Sequence, residues 1–555
     1  MMALPQLDRV FAPLMGAHLR SSPTRQRRAC ARWSSRGAEH RLAGLLLAGT
    51  LLAGVLGAQS GTLVRQARGR MPVVLGQAYL VPQGGSPMPF PSIQAAVDAG
   101  SEGDTVRLSD GLFRGPGNRN VVVTGKNLRI ESQNGPANCV IDCERKGRGF
   151  FFTGPEVTQQ TILRGVTILR GKAGIGGGIR VDIDSLATIE DCVIGDGNAS
   201  FGGGIEYCRV TPPRGIIRDC LVFGNTVSSQ GGGIRGFCVT IERCTIVDNV
   251  SKNEGAGLFL ASNAVLRDSV IARNRLVSPF SANGGGMHLG GPVRVESCTI
   301  VDNTATGSGG GICAGFCPYV VVSNCILWGN RAKNPTWGDQ VFQNLIFGSS
   351  NVVLRHSDVE GGRAGVATNP NLAPGMAVLH AILDVDPAFV DRAGGDYHLT
   401  ADSPLIGAGD PELSPSSVEA DHDGEPRANG PLDIGADERY DGLALSLPLP
   451  GRTGEPNTLR IRGAQPGATV LFFAGLQAQP APAAPFETPC GPPSGIASAT
   501  LLASSTADPS GEASLRLTIP PSLSLQTVLF QAQSFDPSSP QTTCTTSNRI
   551  SFPFP

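Results

Sequence analysis

The sequence predicts an all-β solenoid, and three observations carry that reading. One phrase recurs six times between Gly176 and Asn330. Each copy opens on a glycine cluster with an apolar residue: GGGI at Gly176, Gly202, Gly231 and Gly309, GAGL at Gly255, and GGGM at Gly284. Each closes on a second phrase: EDCVIGDGN, RDCLVFGN, ERCTIVDN, RDSVIARN, ESCTIVDN and SNCILWGN. The clusters lie 26, 29, 24, 29 and 25 residues apart, a period that marks a stacked array. The apolar positions are short, β-branched and spaced for strands, without the Leu/Asn frame of leucine-rich repeats or the long 3.6-residue periodicity of helical ones. With 73 Gly and 42 Pro but only 16 % charged residues, the composition suits turn-rich β structure.

The copies align on Cys192, Cys220, Cys244, Ser269, Cys298 and Cys325. Three positions earlier stand Ile189, Ile217, Ile241, Leu266, Val295 and Val322; two later stand Ile194, Val222, Ile246, Ile271, Ile300 and Leu327. Inward residues at spacings of three and two describe strands broken by a corner. Stacked coils place like positions about 4.8 Å apart, so they should form ladders, with cysteine as a small buried hydrophobe. Asn225, Asn249, Asn274, Asn303 and Asn330 follow five positions later, and one extra residue moves the first copy's Asn to Asn198. Asparagine tolerates left-handed turn geometry and its amides can bond from coil to coil. The glycines that follow allow the positive-φ bend into the next coil.

These residues resemble the right-handed parallel β-helix proteins of the pectate-lyase-like superfamily, over about half the chain. The resemblance implies a right-handed parallel β-helix. It implies no chemistry by itself, because any such coil needs the same residues.

Residues 1–41 are Arg-rich and lead into LAGLLLAGTLLAGVLG, Leu42–Gly57. Residues 1–58 therefore read as a basic region and a secretory signal peptide. The apolar run is short of the roughly 20 residues of a membrane span, so no transmembrane segment is expected after cleavage. Removing residues 1–58 takes away eight Arg and two acids, leaving 37 basic against 44 acidic residues. A net −7 disfavours nucleic acid and anionic membrane as partners. A β-helix is expected over 72–383. It starts with a helical cap in FPSIQAAVDAG, where Ile93, Ala96 and Val97 share one face and Gly100 ends the helix. The following EGDTVRLSDGLFRG resembles the entry of β-helix families.

After Asn330 the repeat decays. DVDPAFVDRAGGDYHLTADSPLIGAGDPE and DHDGEPRANGPLDIGADE closely resemble the choice-of-anchor type end module of secreted bacterial β-helix proteins, matching at Asp386, Tyr397, His398, Asp423, Arg427, Asp433 and Glu438 among others. The resemblance implies that 384–438 terminate the helix and hand over to an anchor. A linker over 439–456 and a small β-sandwich over 457–555 follow, from alternation in NTLRIRG, ATVLFFAG, SLRLTIP, TVLFQAQ and SNRISF. Cys490 and Cys544 lie outside the repeat, in ETPCGPP and QTTCTTSN. A disulfide between them would close a loop of 53 intervening residues and contribute about 4 kcal/mol in the chain-entropy treatment.

Enzymes of the superfamily imply two chemistries: lyases cluster acids on Ca²⁺ beside a basic residue, and hydrolases use several Asp. Here Glu190, Arg218, Glu242, Arg267 and Glu296 alternate in sign on neighbouring coils. They should neutralise one another as cross-strand pairs, each worth about 0.2–1 kcal/mol, whereas a lyase site concentrates its acids. Asp191, Asp219 and Asp268 are interrupted by Arg243. Arg180, Asp182 and Asp184 remain as the candidate catalytic cluster. Asp421, Asp423, Asp433 and Asp437 beside Gly424 offer hard oxygen ligands suited to Ca²⁺, against a plain reading as Asx turns. Trp328, Trp337, Tyr319 and Phe316 crowd the last regular coils, where sugars could stack. The expectation is an exported cell-surface β-helix protein, non-catalytic, that binds or scaffolds polysaccharide or cell-envelope components through its long face. The alternative is a polysaccharide lyase or glycoside hydrolase.

Overall fold

The computed structural model describes residues 74–555 except 210, 279, 316–318, 334–337, 345–350, 369–376, 414–419, 428–430, 440–443, 447–455, 466, 477–499, 509–511, 519–526, 536–543, 547–549 and 554–555. The chain coils into a right-handed β-helix with three sheets, one of 22 strands, one of ten and one of six, parallel except where the entry strand Ala78–Val81 pairs antiparallel with Met88–Phe90 and Thr105–Leu108. The largest sheet carries two strands per coil. In one coil these are Thr188–Glu190 and Val193–Gly195, and the corner between them is the expected break in the repeat.

The ladders fall in register. Ile189, Ile217, Ile241, Leu266, Val295 and Val322 pair in sequence, as do Ile194, Val222, Ile246, Ile271, Ile300 and Leu327. All are fully buried, and each aliphatic side chain contributes about 1.5–3 kcal/mol by leaving water. The ladder cysteines are buried thiols within the same core.

The asparagine ladder forms, with two corrections. Each amide donates to the next coil's carbonyl oxygen: Asn225 to Asn249 at 3.0 Å, Asn249 to Asn274 at 3.0 Å, Asn274 to Asn303 at 3.0 Å and Asn303 to Asn330 at 2.9 Å. The left-handed turn, however, belongs to the residue before each Asn: Gly224, Asp248, Arg273, Asp302 and Gly329, with φ between 54° and 67°. The asparagine spends its side chain inside the coil instead. Asn198 is not in the ladder either. Gly197 holds that place, its N–H donating to Asn225 Oδ1 at 2.8 Å, while Asn198 starts the outer strand Asn198–Phe201. The glycine clusters behave as expected: Gly176, Gly202, Gly231, Gly255, Gly284 and Gly309 all have positive φ.

The helix Ile93–Ala99 is capped by Ser92 and buries Ile93, Ala96 and Val97. The segment from Asp384 onward follows the last coil strand, Val378–Leu383, and folds back along the stack. Tyr397, Leu399, Leu405, Ile434 and Ala436 pack on Val193, Leu221, Val247, Val270, Val301 and Ile326, the outward side chains of the second strand row. That row is therefore buried on both faces, as parallel strands tend to be. Within the expected linker, Ala444–Leu445 forms a strand on Pro456–Arg462. Strands from 444 to 553 make two antiparallel sheets that share a cluster including Leu445, Leu459, Val470, Phe472 and Phe530.

Candidate functional site

The folded-back segment covers the corner between the two strand rows, and the densest chemistry of the described residues lies there. The corner residues Asp191, Asp219, Arg243, Asp268, Ser297 and Asn324 all adopt left-handed backbone, with φ from 48° to 54°. They stand one position before the buried ladder residue of each coil, so their side chains leave the core on the covered side.

Most of their charge is spent in pairs. Arg243 bonds Asp219 at 2.8 and 3.2 Å. Asp268 receives Arg427 at 2.7 Å, and Arg427 also donates to Glu438 Oε2 at 3.2 Å and to two backbone carbonyls. On the adjacent row Arg218 bonds Glu190 at 3.0 and 2.6 Å, and Arg267 bonds Glu242 at 3.0 and 2.5 Å. Glu190, Arg218, Glu242 and Arg267 thus form the cross-coil pairs their order implied, whereas Glu296 meets Arg294 of its own strand at 3.5 Å. Further contacts pin the cover: Arg392 on Asp302, Arg273 on the Tyr397 hydroxyl at 2.9 Å, His422 beside Thr245 Oγ1 at 3.1 Å, and Ala436 N–H donating to Thr299 Oγ1 at 3.1 Å.

Between cover and coil remains a cavity of about 120 Å³. Its lining includes Asp191, Asp219, Arg243, Tyr397, His398, His422, Asp423, Asp437 and Arg460, over an apolar floor of Val193, Leu221, Val247 and Val270. Burial raises the Asp191 carboxyl above its ordinary range, against the pull of Arg460 and Arg164. Burial pushes Asp219 upward too, but Arg243 outweighs it and leaves that carboxyl below the ordinary range. Two carboxyls on neighbouring coils are thus driven apart in acidity.

Beside the cavity sits a second network that the sequence hides. Arg462, from the strand Pro456–Arg462, grips Glu425 with two 2.9 Å bonds and approaches Asp423 at 2.5 Å and Asp437 at 3.3 Å. His398 Nδ1 meets Asp396, and its Nε2 lies 2.6 Å from both Asp423 Oδ2 and Arg462 Nη1. Burial works against the imidazolium, but Asp437, Asp423 and Asp396 hold its pKa well above the ordinary histidine value. It therefore shares Asp423 with the guanidinium rather than accepting from it. Burial would raise Asp423, yet Arg462 and His398 hold it well below the carboxylate range. Burial, with Glu425 and Asp437 adding repulsion, raises Asp421 well above it.

The four expected Ca²⁺ ligands do not converge as a set. Asp423 and Asp437 group with His398, and Asp421 and Asp437 with Glu425. Asp433 caps the backbone N–H groups of Gly407 and Arg439, each at 2.7 Å. Both Asp421 oxygens are taken by backbone donors from Asp423, Glu425 and Glu438, and the Arg462 guanidinium supplies positive charge at the centre. The residues fit a guanidinium better than a metal ion.

Arg180 and Asp182 pair with each other at 2.9 Å on the ten-stranded sheet, away from the cavity lining, and Asp184 is exposed beside them. Trp328 points outward from its strand, but its ring packs into the apolar cluster under the cover. Tyr319 is half exposed. Phe316, Trp337 and Cys490 lie outside the described residues, as do residues 1–58. One signal for the cover was present: the runs VIG, LVF, TIV, VIA, TIV and ILW after the ladder position are continuous rather than alternating, which marks strands buried on both faces. Arg462 had no such signal.

Residues 234–379 match a family profile described as a right handed beta helix region, in agreement with the coil. No curated protein and no solved structure matches the chain. Among the described residues no helix is long and apolar enough to cross a membrane.

Proposed function

We propose that this chain is an exported, cell-surface β-helix protein that acts by binding, on polysaccharide, through the faces of its solenoid that remain open. The observation that supports this reading is the fate of the corner row. Asp219 and Arg243 pair across coils there, Asp268 pairs with Arg427 of the covering segment, and residues from 384 onward pack over the row. The space left between cover and coil, about 120 Å³, is small beside the clefts that seat extended ligands. On this reading 1–58 direct export, the Ile93–Ala99 helix caps the solenoid, and the two C-terminal sheets form a β-sandwich stapled by Cys490–Cys544. Choice-of-anchor character of 384–438 belongs to the same proposal.

The full chain on a glycan array should retain polysaccharides. Incubated with uronic-acid polymers, it should give no rise in the ultraviolet absorbance of an unsaturated product. Such a rise would replace this reading by the lyase. Peptide mapping of unreduced exported protein should recover Cys490 and Cys544 in one linked peptide.

One observation favours a second reading, a glycoside hydrolase. Asp191 and Asp219 line one cavity with their acidities pushed apart, the arrangement an acid and its partner carboxylate need. Release of reducing ends that Asp219→Asn abolishes would support it.

A further inference from the structure

The six-stranded sheet, on a different side of the coil from the covered corner, carries an open groove of about 610 Å³. Its charged lining is entirely basic: Arg145, Lys146, Lys172 and Lys252, interspersed with Asn198, Ser200, Thr226 and Ser228. The chain as a whole balances 45 basic against 46 acidic residues, so this is a local asymmetry rather than a reflection of composition.

The asymmetry contrasts with the large sheet. On the large sheet Arg218, Arg243, Arg267 and Arg273 each meet a carboxylate of a neighbouring coil. In the groove Lys146 meets Glu144 at 3.5 Å, and Arg145 donates to the Asp196 carbonyl at 3.5 Å. Lys172 and Lys252 are exposed and have no ion-pair partner among the described residues. Like charges gathered without counter-charge repel one another, and a bound polyanion relieves that repulsion.

The spacing defines the shape of the ligand. Lys172, Asn198, Thr226 and Val250 stand in register on successive coils, and Lys252 lies two residues beyond Val250. Three coil steps of about 4.8 Å put the two lysine positions about 14 Å apart along the axis. A single sugar or a lone phosphate cannot reach both, whereas an extended chain of several units can. Hydroxyls and an amide lie between the cations, suited to hydroxyl-rich units between the anionic groups. No aromatic ring lines the groove, which removes the stacking platform that single-stranded nucleic acid uses.

We propose that this groove binds an anionic polysaccharide, carboxylated or sulfated, laid along the solenoid axis with Lys172 and Lys252 as its two charge contacts. The inference rests on the binding reading above and adds to it the location and the charge of the ligand. The test is binding of the full chain to immobilised polygalacturonate, dextran sulfate, uncharged dextran and a single-stranded oligonucleotide, for wild type, K172Q/K252Q and K172E/K252E. Wild type should retain one or both anionic polysaccharides, which tells carboxylate from sulfate, and should release them as salt rises. K172E/K252E should bind about tenfold or more weakly, K172Q/K252Q should fall between, and all three should melt alike. Equal binding by wild type and K172E/K252E, or retention of uncharged dextran alone, overturns the groove and leaves the binding reading intact. Oligonucleotide binding as tight as the polysaccharide's overturns the choice of ligand. Retention of no polysaccharide overturns both.

Discussion

Between Gly176 and Asn330 many structural residues meet a like residue one coil away; between Asp384 and Arg462 the partners are unlike residues, several of them far away in the chain. Asn274 bonds Asn249 and Asn303, and Ile246 stacks between Val222 and Ile271. By contrast, Arg427 reaches Asp268 across 159 residues and His422 reaches Thr245 across 177. The first region is stabilised by repetition of small, similar contributions. The second is stabilised by a few charges buried together, each of which depends on a particular partner. Repetition tolerates local change and propagates it to neighbours only. A buried charge network loses most of its value when one member goes.

The sharpest way to break the first region is Ile246→Asp. A carboxylate placed in a fully buried ladder with no partner should unfold the coils around it, giving loss of the cooperative melting transition; wild-type melting would refute the inward assignment. For the second region Arg427→Ala leaves Asp268 and Glu438 buried without their counter-ion. It should cost about 3–5 kcal/mol, read by denaturant unfolding. The loss should be accompanied by rapid amide exchange in 384–438 while the coils stay protected. Asn274→Ala should cost less. It removes the acceptor of the Asn249 backbone and side-chain N–H groups and a donor to the Ile246 and Asn303 carbonyl oxygens, about 1–3 kcal/mol for each group left without a partner that water cannot reach, with exchange rising on both sides of the gap.

A pH titration sharpens the seam between the regions. Asp358 is fully buried, and burial raises its pKa to about 7, with Asp384 and Asp386 adding to the rise and the Val385 N–H opposing it. A carboxyl raised on folding is cheapest when protonated, so its destabilising effect is absent below about pH 4. The effect grows as pH climbs towards 7 and is complete above that. Wild-type melting temperature should fall by a few degrees over that window, and Asp358→Asn should flatten the profile. Least of all, chelator should leave the melting temperature of the folded-back segment unchanged, because Arg462 already occupies the centre of its acids. A drop that Ca²⁺ restores would show that a metal belongs there.

The contrast also explains what could be read from the sequence. The ladders at Ile189, Cys192 and Ile194 were legible because the same residue type recurs and the register pairs like with like. The cross-coil pairing of Glu190, Arg218, Glu242 and Arg267 was legible for the same reason. The Asn turn was misplaced by one residue because Asp248, Arg273 and Asp302, as left-handed corners, look like ordinary surface charges. The folded-back segment was illegible in its contacts. DHDGEPR spaces Asp421, Asp423, Glu425 and Arg427 at every second residue. Nothing in that spacing says that Arg427 turns to Asp268 while Glu425 waits for Arg462.

The double burial of the second strand row has a consequence for a shortened chain. Coils stack on their neighbours alone, so the solenoid can form without the segment that covers it. Val193, Leu221, Val247 and Val270 would then stand as an apolar strip with no Tyr397, Leu405 or Ile434 over it. A chain ended after residue 383 should therefore self-associate through that strip, read by light scattering against the full chain.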